Sequence, residues 1–190
     1  MATKKAVTKK TQPKKAAPAK IAPKKDAAKS LDDLFEDCLK DALWAETAVK
    51  DALPKVIKNA SSKYLKKVLT IHLAETKDQI KVLNQIFKII NVKPEAEKCD
   101  AMAGILKEVD GIMKETQPGA VRAAGIIAAC QKIEHYEIAS YGTMISFSKL
   151  LKHPTAKKLL DSILKEEKNA DKTLSKLATT EINIKADKKK

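Results

Sequence analysis

Four long stretches of this chain carry apolar side chains at alternating steps of three and four residues, and polar residues break each stripe near its middle. Such steps place all members of a stripe on one face of a helix, the face that a bundle turns inward. The first stretch, from Leu31 to about Lys58, reads Phe35, Leu39, Ala42, Glu46, Val49 and Leu53. The second begins after Ser61 or Ser62, ends near Asn91, and reads Leu65, Val68, His72, Glu75, Gln79, Val82, Ile86 and Ile89. The third, from Ala120 to about Leu151, reads Ile127, Cys130, Glu134, Glu137, Tyr141 and Met144. The fourth, from roughly Thr155 to Ala178, reads Leu160, Ile163, Glu167, Asp171, Leu174 and Ala178.

The punctuation between stripes fits helices. "SLDD" at Ser30 offers a capping serine with an acid three residues on, "NASS" turns the chain between the first two helices, and Pro94 stops the second. "QPG" and "KHPT" bracket the third, and Pro54 is a candidate kink in the first. A shorter amphipathic segment, "DAMAGILKEVDGIM", lies between the hairpins. With only five glycines and 4% aromatic residues, the composition also favours helix over sheet. The expected fold is all-α: a ferritin-like four-helix bundle with a long crossover containing a short extra helix. The expected division is a bundle domain over residues 30–180, with tails at 1–29 and 181–190.

The net charge of +14 is not spread evenly. Residues 1–29 hold ten lysines against one aspartate, and the last six residues add +3, leaving +2 for the body. The N-terminal segment has almost nothing to bury and is expected to be disordered. Lys4, Lys5, Lys9, Lys10, Lys14, Lys15, Lys20, Lys24 and Lys25 are candidates for non-specific DNA contacts through phosphates. Three cysteines with no CxxC spacing argue against a disulfide framework, a zinc ribbon or a rubredoxin-type iron site. The chain has no apolar run long enough to span a membrane and no signal-peptide pattern, so a cytoplasmic protein is expected, with nucleoid association if the tail binds DNA.

The stripe interruptions share one level. Residues equally far from a hairpin turn lie side by side, and Glu46 and Glu75 each stand about 15 residues from the Ala60/Ser61 turn. Glu137 lies 16 residues before His153 and Glu167 lies 14 after it, while Glu134 and Asp171 stand 19 and 18 away. Six carboxylates and one imidazole buried together would cost several kcal/mol for each unpaired charge, and no lysine or arginine falls on the stripes. A pair of divalent cations would neutralise them, and oxygen-rich ligands with some imidazole suit iron or manganese.

"AETAVKDALPK", "HLAETKDQI", "EHYEIASYGT" and "LKEEKNADKTL" occur in this order over residues 31–178 and resemble the YciE/YciF-type stress-associated ferritin-like family. That family is similar to rubrerythrins and other di-iron bundles, which implies a site for two iron ions with ligands from all four helices. The resemblance implies Glu46 as the first-helix carboxylate, Glu75 as the bridging carboxylate of the second and His72 as its imidazole neighbour. Glu134 and Glu137 match the paired glutamates of the third helix, and Glu167 and Asp171 take the fourth-helix positions. The chain departs from the common pattern in reading HxxE rather than ExxH on the second helix, and in offering Asp171 where a histidine is usual.

Gln79, His135 and Tyr141 are candidates to hydrogen-bond the ligands from behind, while Cys130 is read as a small apolar residue, His153 as a turn residue and Glu108 as solvent-facing. The leading expectation is a dinuclear redox protein of ferroxidase or peroxidase type, supplied with electrons by an external donor. The alternative is a metal-free helical structural or DNA-associated protein whose polar stripe residues are protonated, hydrated or used in association. A homodimer is compatible with a bundle of this size.

Overall fold

Ser30 starts the ordered helices: its hydroxyl accepts from the Asp33 amide at 3.0 Å while the Asp33 carboxylate accepts from the Ser30 amide at 3.0 Å, satisfying two donors that a helix start leaves free. The computed structural model describes residues 21–25 and 27–188, so the candidate DNA contacts from Lys4 to Lys20 lie outside the described residues; Lys24 and Lys25 are exposed ahead of the first helix. From this cap α1 runs Leu31–Asn59, with Pro54 on its exposed side, and α2 runs Lys63–Ile89 from a second serine cap, Ser62. The crossover helix α3 spans Asp100–Glu115, and α4 (Ala120–Leu150) and α5 (Pro154–Leu177) form the second hairpin.

The turns after α2 and α4 are made the same way. Asn91 (φ 58°) and Lys152 (φ 60°) adopt the left-handed conformation. This lets the next amide, of Val92 or His153, reach back to the Phe87 or Ser148 carbonyl at 2.9 Å. The crossover is tied to the bundle midway, where the Cys99 thiol donates to the Tyr136 hydroxyl at 3.1 Å and that hydroxyl donates to the Asp41 carboxylate. Neighbouring helices are α1 with α2, α2 with α5, α5 with α4 and α4 with α1, and α3 packs on α4 and α1. Among the described residues there is no strand, and the architecture is the all-helical bundle expected.

At two places the chain departs from the expectation. On α2 the buried positions are Leu65, Leu69, His72, Thr76, Gln79, Leu83 and Ile86, with Phe87, so Val68, Glu75 and Val82 are only half-buried and Ile89 is exposed. A seven-residue repeat allows two phasings that share 65, 72, 79 and 86, and the observed one buries a threonine hydroxyl instead of a glutamate. At the C-terminus a π-helical turn, Ala178–Ile182, leads into α6, Asn183–Asp187, so residues 181–187 continue the helix instead of forming a tail. Ile182 explains this, since it is 1% exposed within the apolar cluster that Ala178 also joins.

The core is divided. One apolar cluster, with Val49, Leu53, Leu65, Leu69, Ile126 and Ile133, fills the end near the α1–α2 turn. A second, with Phe35, Leu39, Leu83, Phe87, Tyr141 and Leu160, fills the opposite end. Between them lies a layer of buried polar side chains.

Candidate metal centre

Each long helix contributes to this layer at the point where its apolar stripe breaks. α1 supplies Glu46, α2 supplies His72, Thr76 and Gln79, α4 supplies Glu134 and Glu137, and α5 supplies Glu167, all of them at most 5% exposed. One ligand atom can be taken from each of His72, Glu134, Glu137 and Glu167 so that the four lie within 4.8 Å of one another. His72 Nε2 stands 3.6 Å from Glu134 Oε1. Such spacing is what a shared cation would bridge.

Two neutral donors steady the layer. The Tyr141 hydroxyl donates to Glu46 Oε1 at 2.5 Å, and the Gln79 amide donates to Glu167 Oε1 at 2.5 Å and to Glu166 Oε2 at 3.0 Å. Many buried atoms remain without a partner: Glu46 Oε2, both nitrogens of His72, Glu134 Oε2, both oxygens of Glu137 and Glu167 Oε2. Buried polar groups normally find partners, so this concentration in one layer calls for an explanation. Among the described residues no lysine or arginine side chain pairs with any of them.

Burial sets the protonation of the layer. It raises the carboxyls of Glu134 and Glu137 well above the usual range, with neighbouring carboxylates adding to the effect. Glu46 is raised well above the usual range by burial and the Glu167 charge, against the Tyr141 hydrogen bond. Glu167 is pushed up by burial to about 7, opposed by the close Glu134 and Glu137 carboxyls and by the hydrogen bond from the Gln79 amide. Burial also depresses His72 to about 4. Without a cation, then, the layer favours neutral acids around a neutral imidazole; a cation would displace those protons and restore four carboxylates.

The remaining sequence candidates sit at the margin. Glu75 is half-buried in the wall between α2 and α5. Asp171 is half-buried, accepts from the Gln131 amide at 3.2 Å, and has the exposed His135 ring 3.5 Å away at Nε2. Cys130 is buried, Glu108 is exposed and pairs with Lys132, and the ring of His153 stacks on Phe35 with centroids 6.3 Å apart. Three contributors went unseen in the sequence: Thr76, Glu166 and Gln131. The last donates to both Asp171 and Ser175, and only its position one turn before Glu134 hints at this.

Comparison with known proteins agrees with this architecture. A family model described as "Domain of unknown function (DUF892)" matches residues 30–187. The protein YciF of Escherichia coli K12 is 39% identical over 162 residues, covering 85% of this chain and 98% of its own. The crystal structure of that stress protein superposes with a TM-score of 0.79 at 38% identity, covering 82% of this chain and 99% of that one. YcfI of Rhodopseudomonas palustris, named there as a candidate structural protein, gives a TM-score of 0.78 at 38% identity, covering 80% and 96%. A Xanthomonas campestris protein, 15% identical with a TM-score of 0.66 over 82% of this chain and 95% of its own, shares the fold alone. The match across the whole bundle shows that this chain belongs to the DUF892 family and has the ferritin-like helical fold of YciF.

Proposed function

We propose that the polar layer binds two divalent cations, with iron the leading choice and manganese the other, through Glu46, His72, Glu134, Glu137 and Glu167. The observation that carries this is the set of buried, unpartnered oxygens and nitrogens that converge with no basic side chain among them. Four carboxylates balance the charge of two divalent ions, and a carboxylate-rich set with one imidazole is a donor chemistry that suits iron or manganese. When bound, the metals would supply electron transfer to peroxide or dioxygen, a role in keeping with the stress protein YciF. The chain's own part is to hold and shield. Tyr141 fixes Glu46 and Gln79 fixes Glu167, while the apolar clusters above and below keep water out. No CxxC pair is present, so electrons would come from a separate donor.

The test is to purify the protein without a metal-chelating tag, reconstitute separate samples anaerobically with ferrous iron and with manganese(II), and measure metal per chain and, for the iron sample, the spectrum after peroxide. Two metals per wild-type chain, lost in Glu137→Ala combined with Glu167→Ala, support the reading. A chain that takes up no iron or manganese under these conditions sinks it and favours a metal-free structural role.

The charge at the N-terminus favours a second, separate reading. The lysines of residues 1–29 would hold nucleic-acid phosphates by counterion release, without reading sequence. Deleting residues 2–29 should then abolish salt-sensitive DNA binding and leave metal binding intact; retention of DNA by the shortened chain refutes it.

A further inference from the structure

A cavity of about 110 Å³ lies between α2 and α5, lined by His72 and Glu75 on one side and by Asn169, Ala170 and Thr173 on the other. His72 belongs to the cavity and to the buried layer at once. It is 5% exposed, both ring nitrogens lack a partner, and Nε2 stands 3.6 Å from a Glu134 oxygen. Glu75 is three residues further along α2, on the same helix face and half-buried at the outer part of the wall. A carboxylate at the margin, an imidazole behind it and a carboxylate layer beyond form a series leading inward. On α5 the lining includes Ala170, which presents only a methyl group.

Glu75 and His72 are the ionisable side chains of this lining, and Asn169 and Thr173 add neutral oxygens from α5, so the cavity offers donors to an ion that exchanges bound water on its way in.

We propose that this cavity is the port by which a divalent cation reaches the layer, with Glu75 taking the ion at the mouth and His72 passing it inward. The proposal rests on the metal-binding reading above, and its test separates the two. Cobalt(II), whose visible absorption reports entry into a protein site, is mixed rapidly with the metal-free full-length chain. The rate of loading and the final cobalt per chain are both measured for the wild type, Glu75→Gln and Ala170→Leu. Both variants should load more slowly by about tenfold or more while reaching the wild-type stoichiometry. Glu75→Gln preserves size, so it carries the test even where the bulkier Ala170→Leu disturbs α5. Wild-type rates in Glu75→Gln overturn the port. So does a reduced final stoichiometry in that variant, which would make Glu75 a resident ligand. Absence of cobalt uptake by the wild type removes both the port and the metal site.

Discussion

The Tyr141 hydroxyl donates to Oε1 of Glu46 at 2.5 Å, joining α4 to α1 inside the polar layer. Both side chains are 1% exposed, so this bond has no water to replace it if either partner is lost. It holds one oxygen of Glu46 and leaves the other, Oε2, facing the layer without a partner. A carboxylate held in this way is pre-oriented for a cation.

Tyr141→Phe therefore has two expected effects. It leaves a buried acceptor unmatched, lowering stability by about 1–2 kcal/mol in urea unfolding of the metal-free protein. It also frees Glu46 to turn, weakening cation binding by about 10- to 100-fold in a metal titration. Unchanged affinity alongside reduced stability would leave Tyr141 as packing only.

Stability of the metal-free protein should fall as pH rises. The folded chain holds the Glu167 proton up to about 7, against an ordinary value of 4.5, so this group favours folding fully below 4.5 and the benefit is lost as pH climbs through about 7. Glu46, Glu134 and Glu137 are raised in the same direction. His72, depressed from 6.5 to about 4, works the other way: its contribution is complete above 6.5 and is lost as pH falls towards 4. The carboxyls outnumber the imidazole, so thermal midpoints in chelator should drop between about pH 5 and 8. Cation-loaded protein should not show this drop, because binding requires the same carboxyls deprotonated. A midpoint in chelator that rises over this range contradicts the account.

The unequal legibility of the helices has a physical cause. On α1 and α4 every stripe residue read from sequence is buried; α4, which α3 also covers, buries Ile126, Ala129 and Ile133 beside its stripe, so either neighbouring phasing of it faces protein. On α2 the pairs Val68/Leu69 and Val82/Leu83 are apolar in both phasings, so periodicity alone could not choose between Glu75 and Thr76. Packing chose, and Glu75 came to rest in the wall of the layer. On α5 the polar positions Glu167 and Asp171 both lie on the stripe, yet Gln131 and His135 approach Asp171 from α4 and hold it at the margin. Contacts of that kind depend on how two helices meet, which no single-helix pattern contains.

Lys152 offers a stabilisation unrelated to the site. It sits at φ 60° after α4, where a side chain crowds the backbone and glycine does not. Lys152→Gly should stabilise the protein by about 0.5–1 kcal/mol, after allowing for the greater freedom glycine gains on unfolding. Urea midpoints of the two chains measure this directly, and a destabilised variant would show that the Lys152 side chain contributes more than its conformation costs.

Glu137→Leu separates a binding site from a structural layer. Both Glu137 oxygens are buried without a partner at 2% exposure, and their nearest charged neighbours are other carboxyls. A side chain kept for stability alone is poorly served by such a position, and leucine of similar volume removes both unmatched oxygens. In chelator Glu137→Leu should be more stable than wild type by about 1–3 kcal/mol. With iron or manganese present the order should reverse, since the wild type gains stability from the bound cation and the variant has lost a ligand. Thermal midpoints in the two conditions provide the check. A variant less stable than wild type in both would mean that Glu137 supports the fold through contacts of its own, and the case for a metal centre would lose one of its two α4 ligands.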